Sequence, residues 1–259
     1  MFLRALLSWL MLPVYIWQGT QLRMRIERLL PANVQVSGTV GTEHIDDPFR
    51  VLVIGDSTVA SVGMEKLEDT FAYCVADAVS KAHARRVEWR SAGANSATSG
   101  DLRDFVVPHV EPRDWTHIFI SVGINDMKNF HLAGRFKRNF GTLLYALRTR
   151  FPNSELIWTP IPNMKLCPAL PKRLAEVLAA RADVINAMGV RMCNERRAVH
   201  TTPVGDVGAS CFARDGFHPN GKGYRVWAKH VAPWFKPNDA AIEATESASA
   251  QITRLPRRA

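Results

Sequence analysis

Four short blocks of the chain combine residue types that could move a proton and hold a developing negative charge. The first, Gly55-Asp56-Ser57, follows the apolar run Val51-Leu52-Val53-Ile54. A run of that length reads as a parallel strand buried on both faces. A serine at the carboxyl end of such a strand, behind a small residue, can sit on a sharp strand-to-helix turn with its hydroxyl facing a crevice and helix N–H groups nearby. Taken alone the tripeptide is weak, since Ser57 could equally cap the next helix. Three further blocks raise it. Ser91-Ala92-Gly93-Ala94-Asn95 follows a second strand-like run, and Gly123-Ile124-Asn125-Asp126 closes the run His117 to Val122. Asp215-Gly216-Phe217-His218-Pro219 precedes a helical C-terminal pattern. A neutral imidazole near pH 7 can take a serine proton and return it to a leaving group, which makes His218 the candidate base for Ser57. Asp215, three residues upstream, can fold its carboxylate back on one imidazole nitrogen, fixing the tautomer and stabilising the cation.

In type, order and spacing these blocks resemble the SGNH hydrolases of the GDSL esterase/lipase superfamily. The likeness runs from about residue 50 to 235, with Ser57, Gly93, Asn125 and His218 in the four defining positions. Acyl transfer to a serine also needs donors for the oxyanion, and here these are expected from the Ser57 and Gly93 N–H groups and the Asn125 amide. Gly93 has no side chain to hold a substrate away from its N–H. Gly-x-Ser-x-Gly is absent, which argues against an ordinary α/β-hydrolase elbow. The resemblance implies a serine esterase or lipase acting on a small-molecule or lipid ester, with no cofactor. Two other readings stand beside it: an acyltransferase that passes the acyl group to an alcohol, and a non-catalytic, membrane-associated ligand binder. Intact Ser57, Asn125 and His218 argue against the second.

These residues must be positioned by an alternation of strands and helices. Strand patterns fall near 50–55, 87–91, 116–122, 154–159 and 197–202. Helical patterns fall near 69–84, 98–108, 134–150, 172–189 and 221–235. The alternation implies a three-layer α/β/α sandwich around a five-stranded parallel sheet, for which order 2-1-3-4-5 is the common solution. Ligands of such sheets sit at the carboxyl ends of the strands near the switch point between strands 1 and 3, where Ser57, Gly93 and Asn125 would converge. The segment Pro160 to Pro171 follows strand 4 on that side. Its Ile161, Met164 and Leu166 could line an acyl pocket, or the segment could be a rigid loop covering the core.

With 259 residues, 47% of them hydrophobic, the chain is long enough for one enzyme domain, expected over 50–236. Residues 1–30 form an apolar and basic N-terminal segment, 31–49 a linker, and 237–259 an Ala/Ser/Glu-rich tail expected to be disordered. The apolar stretch Ala5 to Trp17 is short for a membrane span and lacks a small-x-small cleavage site. Trp9, Tyr15 and Trp17 beside Arg23, Arg25 and Arg28 suit a segment lying on an anionic membrane surface, so membrane association is favoured over a cytoplasmic location. The alternative is an extension packed on the domain. The net charge of +9 is dispersed rather than patched, without a nucleic-acid-binding motif. The other histidines lack metal-ligand spacing, and no metal is expected. Of the four cysteines, only Cys193 and Cys211 suggest a bridge, in an oxidising compartment.

Overall fold

The computed structural model of the chain describes residue 6 and residues 9–205 and 207–237. The expected tail falls outside the described residues, apart from Pro237. A six-stranded sheet of order β1-β3-β2-β4-β5-β6 forms the centre. Its strands are β1 (Ser37–Val40), β2 (Phe49–Gly55), β3 (Val87–Gly93), β4 (His117–Ser121), β5 (Glu155–Thr159) and β6 (Val199–His200). The last five run parallel in the expected 2-1-3-4-5 order.

The central strands explain why the sheet is covered on both sides. Val51 to Ile54 are all fully buried, and successive side chains point to opposite faces. Val51 and Val53 join Phe119 and Ile157 in one apolar layer, under α2 (Phe71–His83) and α6 (Gly221–Val231). Leu52 and Ile54 join Ile118, Ile120 and Trp158 in the other, under α4 (Ala133–Arg150) and α5 (Lys172–Glu195). Burying one such aliphatic side chain contributes roughly 1.5–3 kcal/mol. A slip of one residue in β2 would exchange the two layers, so packing pins the register that carries Ser57.

Three expectations change. The stretch 31–49 is more than a linker: β1 pairs antiparallel with β3, Val40 opposite Val87, and so extends the packed unit upstream of residue 50. Its side chains are mostly exposed, so this edge strand carries no alternating signal. The segment 98–108 is not one helix. It opens with an α-turn at Ser99–Asp101, widens to a π-turn in which the Val107 N–H bonds the Leu102 carbonyl, and tightens at Val107–His109. Pro108 supplies the reason, because it has no N–H and its ring crowds the carbonyl four residues earlier. Strand β6 is only Val199–His200, at the sheet edge.

The N-terminal segment forms helix α1 (Leu12–Arg25), and its Tyr15 and Leu22 pack on the domain. Tyr15, expected among the outward-facing aromatics, instead donates its hydroxyl to the Lys128 carbonyl and meets Phe130 edge-on at 4.2 Å. No described helix is long and apolar enough to cross a membrane.

Candidate active site

Ser57 stands two residues beyond β2 and is buried. The chain does not enter a helix directly, as the sequence suggested. It coils through successive turns, with the Ala60 N–H on the Asp56 carbonyl at 2.9 Å and the Val62 N–H on the Ser57 carbonyl at 3.0 Å. Asp56 fixes the entry to this coil. Its Oδ1 accepts the Thr58 N–H and the Thr58 hydroxyl, both at 3.0 Å, and Thr58 Oγ1 also lies 3.0 Å from Ser121 Oγ on β4. Burial pushes the Asp56 carboxyl above its ordinary range, against the lowering effect of the Thr58 bonds and of His218 and Lys128.

His218 arrives from the far end of the chain. Its Nε2 lies 3.1 Å from Ser57 Oγ, and its Nδ1 lies 2.6 Å from Asp215 Oδ2. The other oxygen, Asp215 Oδ1, accepts the N–H groups of Phe217 at 2.9 Å and His218 at 3.0 Å. The Asp-x-x-His spacing thus folds into a closed local turn rather than a helix. Asn220 then caps α6, accepting the Gly223 N–H at 3.1 Å and donating to the Phe212 carbonyl at 2.8 Å. Burial raises the Asp215 carboxyl, but the His218 and Phe217 hydrogen bonds and the nearby His218 ring outweigh it, holding the group below the usual carboxylate range. An ionised carboxylate behind an imidazole that touches a hydroxyl is an arrangement that can draw a proton off serine and return it.

Gly93 ends β3 opposite Gly55. A Cβ on Gly93 would stand 2.1 Å from the Ala60 nitrogen, so only glycine lets the turn after Ser57 lie against β3. Asn125 sits in the short helix α3 (Ile124–Lys128), entered through Gly123 at φ +134°, which a side chain would strain. Asn125 is buried and donates Nδ2 to the Ala97 carbonyl at 3.0 Å and, at a long 3.4 Å, to Asp56 Oδ2. Behind it, Asp126 accepts the Ser99 N–H at 2.9 Å and hydroxyl at 2.8 Å, and lies 3.1 Å from His131 Nδ1. The sequence gives no sign of Ser99 and His131 here, since neither sits in a block with a recognisable chemical pattern.

Ser57 and His218 line an apolar cleft. Met164 and Leu166 line it as expected, together with Ile124, Phe212, Phe217 and Trp227. Ile161 does not. It packs into the core beneath Gly123 and α5, and its backbone N–H and carbonyl both bond the Asn186 side chain at 2.9 Å. The chain beyond β5 is thus held at Ile161 and lines the cleft only from Pro162 onward. Trp227 was missed because it sits on a helix whose apolar positions read simply as core. All four cysteines are free and buried, so no Cys193–Cys211 bridge forms. Cys193 lies in the core layer beside α4 and Cys211 lines the cleft. Among the described residues no cluster of His, Cys, Asp or Glu could hold a metal ion.

Solved structures share this architecture at low sequence identity. A psychrotrophic esterase from Pseudoalteromonas sp. aligns at 17% identity and a TM-score of 0.55, covering 72% of this chain and 98% of its own. An extracellular lipase from Streptomyces rimosus aligns at 16% and 0.52, covering 71% and 97%. An acetyl xylan esterase from Geobacillus stearothermophilus aligns at 13% and 0.50, covering 70% and 91%. No curated protein matches the sequence. The profile of the GDSL-like lipase/acylhydrolase family matches residues 53–226, from β2 through most of α6, and the chain belongs to that family.

Proposed function

We propose that the protein is a carboxylic ester hydrolase that works through a covalent acyl-enzyme on Ser57. The observation that carries this reading is the unbroken chain from Asp215 Oδ2 through His218 to Ser57 Oγ, ending in an apolar cleft. Ser57 Oγ attacks the ester carbonyl while His218 Nε2 takes its proton. The carbonyl oxygen gains the negative charge and is held by the Ser57 and Gly93 N–H groups and Asn125 Nδ2. The 3.4 Å contact between Asn125 and Asp56 is the weakest bond of that amide and the one exchanged for the oxyanion. His218 then protonates the departing alkoxide. Water, deprotonated by the same imidazole, attacks the acyl-enzyme and releases the acid. Asp215 keeps Nδ1 protonated, so that Nε2 is the free base, and stabilises the imidazolium in each half-reaction.

The cleft walls supply Met164, Leu166, Phe212, Phe217 and Trp227 to the acyl chain. Each methylene that they bury is worth about 0.8 kcal/mol, or roughly fourfold in kcat/KM. Hydrolysis of a p-nitrophenyl ester series from acetyl to palmitoyl tests both parts of the proposal. Wild type should gain with chain length until the cleft is full, and Ser57→Ala should be inactive throughout. Equal activity of the two proteins would remove Ser57 from the mechanism.

A further inference from the structure

The outer face of α1 and of the residues leading into it carries an apolar ridge that the fold leaves uncovered. Leu10, Pro13, Trp17 and Met24 follow one another at helical spacings of three, four and seven, and Leu6 continues the line upstream. Leu10 is 69% exposed, Trp17 65% and Met24 71%, with Ile16 at 57% on the flank. Within α1, from Pro13 to Met24, the ridge runs about 17 Å. Rotation of the helix cannot hide it, because the opposite face is already engaged. Tyr15 is bonded to the Lys128 carbonyl and packed on Phe130, and Leu22 packs on the domain. The Arg181 guanidinium lies 3.9 Å from the Phe130 ring centroid and 5.6 Å from that of Trp9, bracing the same contact.

Charge says what seats on the ridge. Arg23 and Arg25 in the last turn of α1, and Arg28 beyond it, are exposed. The sequence has no Asp or Glu before Glu27, whose carboxylate lies 2.9 Å from Arg214. A second copy docked ridge to ridge would offer these arginines no carboxylate from its own residues before Glu27. An anionic phospholipid surface meets the apolar ridge with acyl chains and the arginines with headgroups, and tryptophan favours that boundary. We infer that α1 docks the enzyme on an anionic phospholipid bilayer through Trp17 and Met24, with Leu10 just upstream of the helix, and with Arg23, Arg25 and Arg28 contacting headgroup phosphates. Docking there is also local to the site, since Trp17 and Leu22 share a cleft with Ala169, Pro171 and Asp215.

Flotation of the full chain with phosphatidylcholine vesicles, with and without phosphatidylglycerol, tests the inference. The docking does not depend on the serine chemistry, so Ser57→Ala should float like wild type. Wild type should float with the anionic vesicles and be released by high salt. Trp17→Glu should lower the bound fraction roughly tenfold or more, and each of Arg23→Gln and Arg25→Gln about fivefold. All three variants should keep the wild-type circular dichroism and melting temperature, which shows that they fold. Wild type that stays unbound with anionic vesicles would overturn the inference. So would Trp17→Glu floating as well as wild type, or a solution dimer that Trp17→Glu dissociates without any vesicle binding.

Discussion

A histidine stands near each end of β4, and the two are put to different uses. At the amino end His117 is fully buried, with Nε2 2.7 Å from the Lys236 carbonyl and Nδ1 2.8 Å from the Thr116 hydroxyl. Burial lowers its pKa to about 4, despite the Lys236 bond and a Glu155 oxygen 3.5 Å away. It is a neutral ring filling a polar gap between Phe49 and Phe235. At the carboxyl end His218 is part-exposed in a cleft, backed by a carboxylate at 2.6 Å and facing a hydroxyl at 3.1 Å. Residue type alone does not separate the two. What does is whether the ring can change its charge while a partner waits on each nitrogen.

That contrast can be broken most severely at Ser57 and His218. Ser57→Ala or His218→Ala should lower kcat by roughly 10⁴–10⁶ with little loss of stability. His117→Gln, which keeps a donor for the Lys236 carbonyl, should leave kcat near wild type and lower the melting temperature. Steady-state kinetics beside thermal melts would expose the opposite pattern at once. Asp215→Asn should cost roughly 10⁴ in kcat with KM nearly unchanged, because the wrong tautomer of His218 then faces Ser57. A loss confined to KM would show that Asp215 shapes the pocket only. Asn125→Ala should cost ~10²–10³ in kcat, the usual toll for one oxyanion donor. Asn125→Asp should do no better, since it brings a second carboxylate beside Asp56.

The smallest effect is on stability and belongs to His117. Its folded pKa of about 4 lies below the ordinary 6.5, so the unfolded chain binds the proton first as pH falls. The contribution is intact above pH 6.5, shrinks between 6.5 and about 4, and is worth roughly 3 kcal/mol over that window. Urea unfolding at pH 7 and at pH 4.5 should show a steeper acid loss for wild type than for His117→Gln. Equal slopes would mean that the ring is already charged in the folded protein.

Much of this was legible in the sequence because local chemistry and topology agree there. The run Val51 to Ile54 announces a central strand, and Asp-x-x-His announces a turn that returns the carboxylate to the imidazole. Strand order then brings Ser57, Gly93 and Asn125 to one rim without any contact being known in advance. What escaped was set by tertiary contacts. Strand β1 exists because β3 offers it an edge, not because Ser37 to Val40 alternate in polarity. Ile161 turned inward because Asn186, on a helix far along the chain, clamps its backbone. Tyr15 faces the domain because Phe130 and the Lys128 carbonyl receive it, although its neighbours in sequence face outward. Trp227 and Phe212 reach the cleft from elements whose apolar residues look the same whether they line a core or a pocket.

The most direct test of the central claim is covalent. A fluorophosphonate should add once per chain, and peptide mapping should place the adduct on Ser57 as hydrolysis stops in proportion. Ser57→Ala should take up none. An enzyme that hydrolyses esters while Ser57 stays unlabelled, or that is fully labelled elsewhere, would contradict the acyl-enzyme account.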